Sequence, residues 1–331
     1  YCTDDNARAL IVALRAAKLG VEEADQLSDL AAVYLSFIDY AQIPETGLFH
    51  NFLSYERRWL DRQGSDDCQG RVLWALGSAA TYASKRGLIG LATRLFNQAL
   101  PAAENILSPR AVALCLIGIH EYLRRFSGDV AAHRTREKLA GCIFERFRRH
   151  ESSQWPWPES TLTYINARLP HALLLSGRWM NEPEMVQTAL KSLEFLVKVQ
   201  KAQEGFFEPV GYKGWYRRGG LKARFDQQPV EALSMLDACV EAWRVTGEKK
   251  WLREAQVCHE WFLGLNTLGE SLYDHATGGC KDGLQAEGVN QNEGAESTLA
   301  WLLSTITMEE VRIEAAARDK SPREYQGAFL A

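Results

Sequence analysis

Asp4-Asp5-Asn6-Ala7-Arg8 and Asp67-Cys68-Gln69-Gly70-Arg71 are two copies of one pattern: an acid, an amide two places on, a small residue, an arginine. Tyr164-Ile165-Asn166-Ala167-Arg168 repeats the amide, the small residue and the arginine. Looser copies stand at Asp226-Gln227-Gln228-Pro229-Val230, Gln291-Asn292-Glu293-Gly294-Ala295 and Ser108-Pro109-Arg110. Each opens a run of small and apolar residues at helical spacing, so six equivalent helix starts are read from one chain. Asp4, Asp67 and Asp226 occupy equivalent places. A single Asp, Asn or Ser there is an ordinary N-cap. The doubled acids Asp4-Asp5 and Asp66-Asp67 exceed what a cap requires.

Outward from these starts, periodicity predicts helices from Thr3 to Gly20, over 22–40, and near 66–86, 88–106, 109–126, 129–150, 160–178, 181–200, 228–246, 248–264, 292–306 and 308–318. Their character alternates. The odd members are small and apolar, with Trp74, Cys115 and Trp301, whereas the even members carry Lys, Arg and Glu on one face. A helix buried all round followed by a helix with one wet face explains the contrast. Two long segments, 42–64 and 201–227, are rich in Gly, Pro and Trp and show strand-like alternation at Leu48, His50 and Phe52 and at Phe206, Phe207 and Tyr212. Loops of this length in a compact domain are usually functional. The expectation is an all-α (α/α)6 toroid of six helical hairpins, with short strands in two long loops, as one domain over 1–331.

Bulk properties agree with a globular chain. It has 331 residues, 46 % hydrophobic and 24 % charged, and a net charge of −4. That balance offers no basic excess for a nucleic-acid partner, and no apolar run approaches the ~20 residues of a membrane span. Seven cysteines without a CxxC pair read as reduced thiols, which points to the cytoplasm. HExxH, GxSxG and P-loop motifs are absent, so no metal or cofactor is expected.

In a ring of hairpins all inner helices run the same way, and their starts open at one mouth. Asp4, Asp5, Asp66, Asp67, Glu159, Tyr164, Asn166, Asp226, Glu293 and Glu296 would converge there, with Arg168 and Asn292 beside them. Crowded carboxylates separate in pKa. One protonated and one ionised carboxyl are what glycosidic cleavage requires. Glu159 or Glu293 is the expected acid; Asp67, Asp4 or Asp226 is the expected base or substrate-fixing group. Trp155 and Trp157, in the Pro-stiffened segment Gln154-Trp155-Pro156-Trp157-Pro158-Glu159, and Trp215 are expected to stack on sugar; Trp74, Trp179 and Trp301 fall at helical spacing and are expected in the core. Arg217, Arg218, Lys222 and Arg224 form a basic loop with Gly219-Gly220, a solvated loop or a phosphate site.

The segments at 3–8 and 65–71, Trp155 to Pro170 and Asn290 to Thr298 resemble the six-hairpin glycosidase superfamily, (α/α)6 carbohydrate enzymes that include inverting hydrolases, phosphorylases and sugar epimerases. They are also similar to a bacterial domain associated with glycosyltransferases. The resemblance implies an oligosaccharide or glycoside substrate and cleavage with inversion. A non-catalytic glycan-binding module beside a glycosyltransferase is the second reading. A sugar epimerase or isomerase is the third, and for it His171 and His275 would be the acid and base.

Overall fold

The computed structural model describes residues 1–320. Eleven α-helices are present among them: α1 Thr3–Lys18, α2 Ala24–Ala41, α3 Asp66–Tyr82, α4 Arg86–Ala103, α5 Pro109–Arg125, α6 Val130–His150, α7 Arg168–Trp179, α8 Pro183–Val199, α9 Pro229–Thr246, α10 Lys249–Glu260 and α11 Ala295–Lys320. The odd-numbered helices pack side by side in chain order, and α11 returns to α1, which closes an inner ring of six. The even-numbered helices lie outside: α2 against α1, α4 against α3, α6 against α5, α8 against α7 and α10 against α9. The fold is therefore the all-α (α/α)6 ring expected from the repeat.

Burial follows the alternation of sequence character. α3 is buried continuously from Cys68 to Ala80, and α9 from Pro229 to Trp243. The outer α4 buries one stripe, Ala92, Leu95, Phe96, Ala99, Leu100 and Ala103. The seam between α3 and α5 is tightest, because glycines let the backbones touch. A Cβ on Gly77 would stand 2.0 Å from the Gly118 carbonyl oxygen, and one on Gly118 would stand 2.5 Å from that of Leu73.

Three expectations are corrected. The segments 292–306 and 308–318 form one helix, α11, because Ser304-Thr305-Ile306-Thr307 carries neither Gly nor Pro to break it. The described residues thus hold five complete pairs and the inner member of a sixth. The seventh helix starts at Arg168 instead of 160: residues 161–162 form strand β3 and Ile165 has φ 36°, both incompatible with helix. The third correction concerns strands. Segment 42–64 carries short strands as expected, paired as a hairpin of β1 Gln42–Ile43 with β2 Leu48–Phe49. Strand β3 Thr161–Leu162 pairs antiparallel with β4 Tyr216–Arg217, which ties two loops together. A third hairpin, β5 Gly283–Gln285 with β6 Gly288–Asn290, precedes α11 and was not expected. No helix among the described residues is long and apolar enough to cross a membrane.

Candidate active site

Because the inner helices are parallel, their first turns meet at one mouth, and side-chain bonds between neighbouring starts show it. The arginine of the repeat is the organising residue. Arg8, Arg71, Arg110 and Arg168, one from each of the first four inner helices, are all 6 % exposed or less. A buried guanidinium is costly unless paired, and each of these has a carboxylate. Arg8 binds Asp5 (2.8 Å), Asp4 (3.1 Å) and Glu296 at the start of α11, which joins the two ends of the ring. Arg71 sets Nε 2.9 Å from Asp4. Arg110 grips Glu159 with both terminal nitrogens (3.1 and 2.8 Å) and also donates to Asn166 Oδ1 and the Tyr164 carbonyl. Arg168 donates to Asp237 (2.7 Å) and lies 4.8 Å over the ring of Trp74.

The expected acids thus divide. Asp4, Asp5, Asp67, Glu159 and Glu296 belong to the mouth. Burial raises the pKa of Asp67, opposed by Arg71 and reinforced by Asp4. Asp5 is raised for the same reason, opposed by Arg8. Asp66 turns toward the next helix start and accepts the N–H groups of Leu107 (3.1 Å) and Ser108 (3.0 Å). Asp226 is buried and paired with Lys213 at 3.3 Å. Glu293 accepts the Thr277 hydroxyl at 2.7 Å over Gly279, and the Asn292 amide donates to Asp282, which caps α11 through Gly294 N and Ser297 Oγ. Asn166 is a turn former: its Oδ1 accepts Thr163 N (2.9 Å) and its Nδ2 donates to Thr163 O (2.7 Å). Tyr164 places its ring 5.8 Å from the Arg110 guanidinium.

The tryptophans lie deeper than a sugar platform requires. Trp157 is fully buried against the ring of Phe147. Trp155 is 4 % exposed, packs on Phe195 and Tyr216, and donates Nε1 to the Glu159 carbonyl (2.7 Å). Both rings shape the loop that carries Glu159; neither has an open face. Trp215 is half-buried in a left-handed turn (φ 57°) near Tyr212. In the basic loop, Lys222 and Arg224 both pair with Glu208, and Arg218 donates to Ser152. Arg217 stands exposed in β4.

Glu231, which sequence reasoning missed, is the most perturbed carboxyl of the mouth. It sits in the first turn of α9, 3 % exposed, and one oxygen accepts the Ile165 N–H at 2.6 Å. The other oxygen has no hydrogen-bond partner among the described residues. Burial pushes its pKa up to about 8, against the Ile165 bond and the charge of Arg110; Glu296 adds to the rise and Arg168 opposes it. A signal existed in the sequence: α9 is apolar or small almost throughout, yet carries Glu231, Asp237 and Glu241. Acids on the all-round-buried helix of a ring must point at something polar.

His171 is buried on α7, with Nδ1 3.3 Å from Arg168, and burial followed by the Arg168 charge holds it well below its usual pKa. His275 is exposed and packs on Tyr273, which lies against Trp301. The structure does not bring the two histidines together through any shared contact among the described residues.

No family model matches the chain, and no curated protein matches it in sequence. Among solved structures it is similar to cellobiose 2-epimerase from Bacillus thermoamylovorans (TM-score 0.69, 12 % identity, covering 93 % of this chain and 88 % of that one). It is similar to a D-mannose isomerase (TM-score 0.69, 12 % identity, 92 % and 86 % covered). It is also similar to a family GH76 α-mannanase from Bacteroides thetaiotaomicron (TM-score 0.64, 11 % identity, 95 % and 88 % covered). At these identities the likeness is one of fold, the (α/α)6 ring.

Proposed function

We propose that the protein is a carbohydrate-active enzyme that cleaves a glycosidic bond with a pair of carboxyl groups, Glu231 as general acid and a carboxylate of the α1–α3 side, Asp67 first, as general base. The observation that carries this reading is Glu231: a carboxyl buried at the mouth, protonated near neutrality, with one oxygen pinned and the other without a protein partner. A proton held there is available to a leaving oxygen. Burial also raises the Asp67 carboxyl, but Arg71 beside it favours its ionised form, which suits the base role. Inversion follows if the base acts through a water, which needs the two carboxyl groups roughly 6.5–9.5 Å apart. Glu159, clamped by Arg110, and Glu293, bonded to Thr277, take substrate-fixing places in this scheme, as do Asp4, Asp5, Asn292 and Glu296.

The test is turnover on a panel of di- and oligosaccharides, with and without phosphate. Glu231→Gln and Asp67→Asn are each expected to lower kcat by about 10²–10⁴-fold, the range typical of acid–base groups. Activity should follow a bell in pH, with its alkaline limb near the Glu231 value of about 8. Full activity in both variants on a substrate the native protein turns over would refute the assignment.

A further inference from the structure

The long loop 42–64 and the end of α2 build a feature that the acid pair leaves unused. Five aromatic rings form a chain: Tyr55 lies 5.7 Å from Tyr1, Tyr1 lies 6.3 Å from Phe37, Phe37 lies 6.1 Å from Trp59, and Trp59 lies 5.4 Å from Tyr40. His50 stacks on Trp59 at 4.8 Å and 14°. Instead of closing into a core the outer rings stay wet: Tyr55 is 92 % exposed, Tyr1 58 %, Tyr40 55 %. The cluster is fastened to the mouth. Asn51 receives the Thr3 N–H on its carbonyl (2.8 Å) and the Asp4 N–H on its side chain (3.1 Å). Asp61 in turn holds the Asn51 N–H at 2.7 Å. The loop that carries Tyr55 and Trp59 is therefore hydrogen-bonded to the start of α1 beside Asp4.

Contiguous exposed aromatic surface marks an interaction site. Its chemistry favours sugar over protein. The exposed rings of this chain of five are all tyrosines, whose apolar faces and hydroxyl edges match the C–H face and hydroxyl fringe of a pyranose. The exposed aliphatic side chains of α2, Leu30 and Val33, lie a turn or more further from the mouth, where a protein partner would engage them. We infer that Tyr1, Tyr40 and Tyr55, supported by Phe37 and Trp59, form a shelf that holds the outer units of an oligosaccharide whose inner end enters the acid mouth. The inference deepens the proposed function and rests on it for the direction of the chain.

Isothermal titration of the whole chain with cellohexaose and mannohexaose, and with cellobiose and mannobiose as short controls, tests it. Tyr55→Ala and Tyr40→Ala remove wet rings and leave the fold intact. Each is expected to weaken the hexasaccharide that binds by about five- to tenfold, the scale of one aromatic-face contact, with no change for its disaccharide. Val33→Ser should change neither. Hexasaccharide affinity unchanged in both tyrosine variants, or no hexasaccharide binding by the native chain, overturns the shelf. Loss of self-association in Val33→Ser together with the tyrosine variants overturns it in favour of a protein contact. Turnover measured in parallel separates the two ideas. Tyr55-dependent binding without cleavage of any glycoside leaves the shelf standing and removes the acid–base reading, whereas Glu231-dependent cleavage with normal hexasaccharide binding by both tyrosine variants does the reverse.

Discussion

At the scale of single residues, the mouth is an exercise in burying charge. Four arginines, each nearly without solvent, are neutralised by Asp4, Asp5, Glu159, Glu296 and Asp237, and Asp67 and Glu231 stand outside that pairing. The raised pKa of Glu231 has a consequence for stability as well as for the proposed acid role. The folded chain holds the Glu231 proton up to about pH 8, whereas the unfolded chain releases it near the ordinary Glu value of about 4.3. Its contribution is fully present below the unfolded value and is lost as pH rises through the folded one. Glu231→Gln, which cannot ionise, should therefore match the native melting temperature near pH 4 and exceed it by a few degrees near pH 9. Equal melting temperatures at both pH values would show that the carboxyl is not held neutral.

At the scale of elements, the repeat arginine and its preceding small residue act together. At α3 the small residue lets the helix start approach its neighbour, and each of the four arginines reaches an acid of a neighbouring element, Arg8 also binding two acids of its own first turn. Gly70 shows the first half of this: a Cβ there would meet the Ala111 carbonyl oxygen at 2.6 Å. Gly77 and Gly118 extend the same close seam down α3 and α5. The clash at Gly118 is with backbone, which cannot swing aside, so Gly118→Ala should cost about 3 kcal/mol or more in urea unfolding, at the upper end of overpacking effects. Gly141, on the exterior α6 with nothing near its missing Cβ, should gain slightly on the same change because Ala favours helix. The alternation of helix character and the strand-like stretch around Leu48 were readable in the sequence. The start of α7 was not, because β3 owes its existence to a partner strand some fifty-five residues away, Tyr216–Arg217.

At the scale of the whole molecule, the ring is closed by ion pairs between its first and last helices. Arg8 meets Glu296 at the mouth, and Arg15 meets Glu310 at the other end, at 2.7 Å and with 11 % of the arginine exposed. Between them Thr307 donates to Asp237 and accepts from Arg15, so a polar line runs from the Arg168–Asp237 pair to the far opening. Glu310→Gln leaves Arg15 buried without its counter-charge. A loss of about 2 kcal/mol is expected, less than for a fully buried pair because Glu310 is partly wet, and chemical unfolding measures it. An unchanged midpoint would mean that closure rests on the apolar contacts of α1 with α11 alone.

What the sequence determined by itself was the rhythm: six equivalent helix starts, inner and outer helices in alternation, and acids gathered where those starts meet. Those properties are local or periodic, and a periodic chain shows them residue by residue. Only the tertiary structure decided which acid is buried and unpaired, which acids serve arginines, and that Trp155 and Trp157 face inward while Tyr40 and Tyr55 face out. Burial and charge pairing belong to the surroundings of a side chain, assembled from helices far apart in sequence. No window along the chain contains them.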